Sequence, residues 1–576
     1  MISGLLLAAL PLLAVYLYTR LRYLRFRQYA NIPQIKSSLV WGHMRVLNDF
    51  ILRGKVDRHI DQVLSEMSDE LGNPPILLLD LRPASYPMAV VTSHEVAEQV
   101  SRTSKLMPWS TPKSPTMLAF QYLLGKQSIM TQQGEEWKHL RRMFNPGFAP
   151  KHLHSLLPCI VEKTRPFLRH LDAYARSGDE FCLDTLTIPL TFDIIGAVVM
   201  DADFDAQHLD KARQGEFIRL YRALADTYSN DKTQFPSWFF PGREWRRYRL
   251  GTRIETLLKA LVREKYDEMR QHMQQQKNSG EKQKKSRSVL GLSLQDVDPA
   301  DLTDALVSDV CDQIKSFLFA GHDTTSILLA WILYELSRTP HALAAVRAEL
   351  DAVFGPDSSP ASVGEKLTSP EGEDLIQRLS YCSATIKEAL RLHPPAGTAR
   401  MTPPGTGFAV KLPEESGGGE LCLDGLVIYN CATLIQRDDK VYGETKEDFV
   451  PERWLGNTDT SEDGQSQGDE KEGGKAGKIP NSAWRPFERG PRNCIGQELA
   501  NIEARVILAM VARRYDFVKV GLGALELNEH GEKVLNEKGQ WKVKEELYNT
   551  RQVTAKPVDG TRMKVRLASS ASAELR

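Results

Sequence analysis

Cysteine is scarce in this chain: seven residues in 576, odd in number, scattered, and never spaced as Cys-x-x-Cys. That excludes a disulfide framework and a sequence-local zinc site, and reduced thiols fit a reducing compartment. Neither sign of charge prevails, since 74 Lys and Arg balance 74 Asp and Glu. Nothing overall points to nucleic acid, and only local charge runs speak to partners. Internal repeats are missing, as is a glycine-rich loop after a strand that would cradle a phosphate. The chain is nevertheless long enough to bury a large core.

What is present begins with an apolar run. Ile2 to Tyr18 carries no charge, and Arg20, Arg22, Arg25 and Arg27 follow at once. A bilayer core needs about 17–20 apolar residues, so residues 1–19 are expected to form a single transmembrane anchor. The basic run predicts that the remainder stays on the cytoplasmic side. A cleaved signal peptide is the alternative, against which stand the missing basic start and the missing small-x-small cleavage site. Residues 20–54 read as a basic flank and extended linker, with Pro33 and Trp41-Gly42-His43. Residues 55–576 read as one large domain, mainly α with minor β. Helical spacing runs through 134–145, 150–177, 184–200, 245–273, 302–338, 372–393 and 496–514. Short strands are expected at 76–81, 88–92, 408–412 and 420–429. The polar stretches 274–287 and 456–478 are expected to be flexible loops.

The richest stretch is Phe487-Glu488-Arg489-Gly490-Pro491-Arg492-Asn493-Cys494-Ile495-Gly496. It is a turn-rich loop that delivers one Cys to the start of a helix, where dipole and free amides favour a thiolate. Gly490 and Gly496 permit tight backbone geometry and close approach of a flat ligand. Arg492 adds positive charge, and Phe487 is placed to shield the sulfur. Most lone cysteines are merely buried structure. Here five fixed positions, FxxGxRxCxG, reverse those odds.

On those residues the chain resembles the cytochrome P450 superfamily. The resemblance implies a mainly helical fold, haem b, and Cys494 as the axial ligand of its iron. Three further motifs stand in the expected order. Glu388-Ala389-Leu390-Arg391 matches ExxR and Phe449-Val450-Pro451-Glu452-Arg453-Trp454 the downstream partner segment, which implies a buried network supporting the haem loop. Ala320-Gly321-His322-Asp323-Thr324 matches AGx(D/E)T inside the long apolar helix. There the resemblance implies that Thr324 donates a hydrogen bond to bound oxygen, that Asp323 helps to relay protons, and that Ala320 and Gly321 leave room for dioxygen. A threonine so placed also bonds back to the carbonyl four residues earlier. Trp137 and Arg141 match WxxxR and are implied, with Arg400 and Arg492, as partners of the haem propionates. The family's usual His at the start of 436–443 is Gln436 here, and the insertion at 456–478 is longer than usual.

The resemblance implies a monooxygenase that inserts one atom of dioxygen into a C–H or C=C bond. Little chain follows residue 515 for a flavin domain, so electrons are expected from NADPH through a separate reductase in the endoplasmic reticulum membrane. Arg485, Arg489, Arg492, Lys138 and Arg142 are candidates to meet its acidic surface. The apolar segment 105–125, with Phe317 and Leu318, argues for a small-molecule substrate that is hydrophobic and fairly bulky. The sequence looks most like fungal microsomal members that tailor polyketides or other secondary metabolites. A fatty-acid or alkane hydroxylase and a reductase-independent haem-thiolate isomerase or dehydratase are the alternatives.

Overall fold

The computed structural model of the chain describes residues 2–210, 213–229, 240–279, 288–456, 479–550 and 552–568. The apolar run and its basic flank form one helix, α1 (Ile2–Phe26), with Leu12, Val15 and Leu17 exposed. Residues 20–54, expected as a flank and linker, are instead built into the body. Arg25 is 5% exposed, pairs with Asp80 at 2.6 Å and donates to the carbonyls of Val40 and Arg82. A guanidinium so fully partnered tolerates burial that an unpaired one does not. Helix α2 (Met44–Leu52) buries Leu47, Phe50 and Ile51, the i, i+3, i+4 face, beside Leu77, Leu79 and Val90.

The strands are β1 (Ile76–Asp80), β2 (Pro87–Val91), β3 (Phe181–Cys182), β4 (Thr398–Met401), β5 (Ala409–Lys411), β6 (Glu420–Cys422), β7 (Val427–Asn430), β8 (Tyr515–Lys519) and β9 (Arg562–Leu567). They form small sheets in the orders β1-β2-β7-β4, β3-β9-β8 and β5-β6. The run 420–429, expected as one strand, is split by a turn. Gly425 has φ +72°, and the Asp424 carboxylate accepts the N–H groups of Gly407 and Phe408 at 2.6 and 2.9 Å. The sheet β3-β9-β8 had no counterpart in the sequence reading.

Helices make up most of the rest. Those that position the site are α3 (His94–Ser101), α4 (Gly134–Phe144), α5 (Asp184–Met200), α6 (Glu216–Ser229), α7 (Pro241–Ser279), α8 (Asp304–Arg338), α9 (Ser380–Leu392) and α10 (Gln497–Val511). Helix α7 continues to Ser279, past the start of the loop expected at 274–287. Residues 280–287 and 457–478 of the two expected loops lie outside the described residues.

Helix α8 is the axis of the domain and spans about 50 Å at 1.5 Å per residue. The Thr303 hydroxyl caps its start by accepting the Leu306 N–H, and Pro340 follows its end. It is apolar and long enough to cross a membrane, yet its apolar window is 78% buried inside the protein. Several of its buried polar residues have partners. The Gln313 amide donates to Gln127 O and accepts from Ile129 N, both at 2.7 Å, which pins the preceding loop to the helix. The expected helix 372–393 breaks at residues 378–379. There the Glu349 carboxylate accepts the N–H groups of Tyr381 and Cys382 at 2.6 and 2.8 Å, so a side chain from another helix caps α9.

Candidate active site

The loop before α10 turns tightly because its backbone has to. Gly490 has φ +75°, and a Cβ there would lie 2.1 Å from the carbonyl oxygen of Ser101 on α3. The Cys494 N–H donates to Phe487 O at 2.9 Å and the Asn493 N–H to Gly490 O at 3.1 Å, which closes the loop on itself. Gly496 is the N-cap of α10, and its N–H serves the Cys494 thiol. Cys494 is exposed, although protein crowds its thiol closely enough to desolvate it. Burial pushes the thiol pKa up, while the Gly496 N–H, Arg141 and Lys113 pull it down.

Near Cys494 stands a group of cations. Arg400, on β4, is fully buried, donates to Thr111 O at 3.1 Å, and has no partner for Nε or Nη2. Arg492 donates to Gln132 O at 2.7 Å, lies 4.9 Å from the Trp137 ring centre, and has no partner for Nε. Burial, with Arg400 and Arg141 adding repulsion, lowers its pKa to about 9. Lys113 donates to Thr398 Oγ1 and is driven well below the usual lysine range by burial, then by Arg400 and Arg492. Sequence reasoning missed Lys113, which lies inside a segment read only for its apolar content. Buried donors without acceptors and mutually repelling cations are costly. A ligand with two carboxylates relieves both, so the residues fit a porphyrin dicarboxylate.

The WxxxR pair divides its work. Trp137 is 5% exposed and packs against Arg492. Arg141, expected at a propionate, donates instead to Asn493 O at 2.8 Å and Asn493 Oδ1 at 2.9 Å, next to Cys494. The loop has a second brace in Arg485. It pairs with Glu98 of α3 at 2.8 Å and Glu488 at 2.6 Å, and with Arg400 it lowers the Glu488 pKa to about 2 against burial. Arg485 and Arg492 are thus buried and not free for an acidic partner. Arg489, itself paired with Glu98 at 3.0 Å, Lys138 and Arg142 retain exposure.

Behind the loop lies the ExxR network. Glu388 and Arg391 are completely buried and joined by two hydrogen bonds of 2.9 and 2.8 Å. The same carboxylate accepts from Arg453 Nε (3.0 Å), Trp454 Nε1 (2.9 Å) and Val450 N (3.0 Å). Gln436, noted in the sequence only as a departure, is fully buried. Its amide donates to Leu390 O and Arg391 O and accepts the Arg485 N–H at 2.7 Å, so it links α9 to the haem-loop segment.

On α8, Thr324 Oγ1 donates to Ala320 O at 2.6 Å, the back-bonded arrangement, which leaves its lone pairs free to accept. Gly321 faces α5, where a Cβ would come within 2.6 Å of Ile195 Cγ1. Close packing of α5 on α8 therefore accounts for this glycine. Asp323 is 4% exposed, ion-paired with Lys556 and hydrogen-bonded by Thr554 Oγ1. His322 lies 3.9 Å from Asp323, its Nδ1 on Leu318 O and its ring among Phe192, Tyr221 and Phe319. Phe317, expected to line a substrate pocket, packs on Phe144 and Phe148 instead, and Leu318 is fully buried in the same core. Phe319 is the neighbour that borders a cavity with Asp323.

The family profile described as Cytochrome P450 matches residues 44–544. The chain is 31% identical over 494 residues to the cytochrome P450 monooxygenase acrF of Aspergillus aculeatus, covering 84% of this chain and 93% of that one. It is 27% identical over 511 residues to the cytochrome P450 monooxygenase polC of Polytolypa hystricis, covering 87% and 84%. Identity to human cytochrome P450 4V2 is 27% over 468 residues, with 80% of each chain covered.

Proposed function

The chain belongs to the cytochrome P450 family and is a cytochrome P450 monooxygenase, and from that premise we propose that it oxygenates an apolar intermediate of fungal secondary metabolism, such as a polyketide, by hydroxylation or epoxidation. The observation that carries the reading is Cys494 just before α10, beside half-buried Lys113 and the buried Arg400 and Arg492, whose guanidinium groups keep unpartnered donors. The two fungal relatives support the setting.

Haem b, when bound, supplies the oxygen-activating redox chemistry, which a thiolate ligand favours by donating electron density. Cys494 is its ligand, and the Gly496 N–H favours the ionised sulfur. Lys113, Arg400 and Arg492 bind the propionates, with Trp137 supporting Arg492 from beneath. Arg141 holds the sulfur in position through Asn493, and Phe487 through the Cys494 N–H. Thr324, whose hydroxyl hydrogen is bound by Ala320 O, would offer its lone pairs during oxygen handling, and Asp323, one residue before it, would be the carboxylate through which protons pass.

Each turnover takes two electrons and two protons, sends one oxygen atom to substrate and releases the other in water. The electrons come from NADPH through a separate reductase. Helix α1 holds the protein in the endoplasmic reticulum membrane as a single-pass anchor over residues 1–19, with the catalytic domain in the cytoplasm. The precursor that accumulates in a deletion strain names the substrate. Incubated with purified enzyme, reductase, NADPH and isotopically heavy dioxygen, it is expected to yield product bearing one heavy oxygen atom. Product formed without that atom, or without NADPH, would favour an isomerase or dehydratase and overturn the proposal.

A further inference from the structure

A relay carboxylate has to exchange its proton with solvent, yet Asp323 is almost fully buried. What reaches it is the segment 552–560, more than 200 residues downstream. Thr554 and Lys556 both end on its carboxylate. Backbone bonds fix the segment on both sides of them: Ala555 N to Pro395 O at 2.8 Å, Thr550 N to Lys556 O at 2.7 Å, and Asp184 N to Gly560 O at 3.3 Å. A cavity of about 20 Å³, lined by Asp323, Gln552, Thr554 and Lys556 on its polar side and Phe319 on its apolar side, lies at this junction. That is room for one water with several polar neighbours.

Behind Lys556 stands a second carboxyl, Asp184, at the start of α5 and partly exposed. Its Oδ2 lies 3.8 Å from the Cβ position of Gly560. The charged groups that face it are Lys556, Asp323 and Asp559, with Asp559 itself bound to Lys519 at 2.6 Å and Cys182 beside Gly560. Burial raises the Asp184 pKa to about 7, against the attraction of Lys556. It therefore takes up and releases a proton near neutrality.

We propose that Asp184, Lys556 and the polar cavity form the route by which protons from solvent reach Asp323, with Lys556 the positioning residue that aims the Asp323 carboxylate and Asp184 the outer carboxyl of the route. The inference rests on the monooxygenase reading of the same site. A proton leaves the Asp184 carboxyl, crosses the cavity on water to the Asp323 carboxylate and passes on toward Thr324, while solvent returns a proton to Asp184. Each group gains one proton and loses one, and no electrons move in this step. The other titratable groups near Asp323 are His322, 3.9 Å away, and Tyr221, packed on the His322 ring, both buried.

The test uses the full-length holoenzyme and the variants Lys556→Met, Lys556→Arg and Asp184→Asn. All three are expected to keep the thiolate-type spectrum of the reduced carbon monoxide complex, and its loss in wild type would count against the site reading, not the route. With the spectrum intact, Lys556→Met is expected to lower product formed per NADPH about tenfold, less than the roughly 100-fold or more of a direct proton donor. The lost electrons should appear as hydrogen peroxide, the solvent deuterium isotope effect should rise, and Lys556→Arg should restore coupling. Because the protonated Asp184 carboxyl is the donor form, coupling in wild type should fall as pH rises through about 7. Asp184→Asn should abolish that fall and remove an infrared carboxylic-acid band that wild type loses over the same range. Unchanged coupling in Lys556→Met overturns the positioning role. If Lys556→Met does not fold, Asp184→Asn decides alone, and an unaltered pH profile or infrared band overturns the route.

Discussion

At Glu388 five donors converge on one carboxylate that has no exposed surface. Removing it leaves Arg391 buried without its anion, and such a stranded charge costs about 3–5 kcal/mol. Glu388→Ala is expected to yield protein that retains no haem, and normal haem content in that variant would refute the support role. Glu388, Arg391, Arg453 and Cys494 were legible in the sequence because each sits in a short motif of fixed spacing. Lys113, Gln436 and the Arg141–Asn493 contact were not. Their partners lie 45 to more than 350 residues away, so no local spacing announces them. The family resemblance implied a propionate for Arg141, whereas its bond to the Asn493 carbonyl pair needed the fold to be seen.

Among the elements, α8 and α5 carry the clearest lesson. Both were readable from apolar spacing, to within two residues at each end. Their mutual approach was not, because a single glycine on a helix says nothing about which neighbour it admits. Gly321 admits Ile195, and Thr191 Oγ1 of α5 donates to His322 O at 2.8 Å one residue further on. Gly321→Ala is expected to push α5 away and destabilise the protein by about 1–3 kcal/mol through overpacking. Ile195→Ala in the same chain should recover most of that loss, as two side chains sharing one space couple strongly. Thermal melts of the double-mutant cycle check it, and additive losses would place the demand for glycine elsewhere. The break before α9 was illegible for a related reason: the cap is supplied by Glu349, a residue of another helix.

For the whole molecule, composition located the first segment but not how it attaches. Residues 20–54 looked like a tether, whereas Arg25 and α2 lock the exit of α1 to the edge of the sheet. A chain lacking residues 2–19 is therefore expected to leave the membrane fraction and melt at the wild-type temperature. One lacking residues 2–26 also loses the Arg25–Asp80 pair and should lose up to about 3 kcal/mol, with Arg82, 2.8 Å from Asp80, softening the effect. Sedimentation with membranes and thermal melts measure both, and persistence of the shorter deletion in membranes would contradict α1 as the anchor. The far end, 520–568, showed no helical period and was left unread, yet it builds β9 and brings Lys556 to α8. The account as a whole depends on Cys494 binding haem iron through an ionised sulfur. Absorption of the reduced protein under carbon monoxide tests it most directly. Wild type should show the red-shifted Soret band of thiolate ligation and Cys494→Ala should not, whereas a wild type without haem, or a band that survives the substitution, would contradict it.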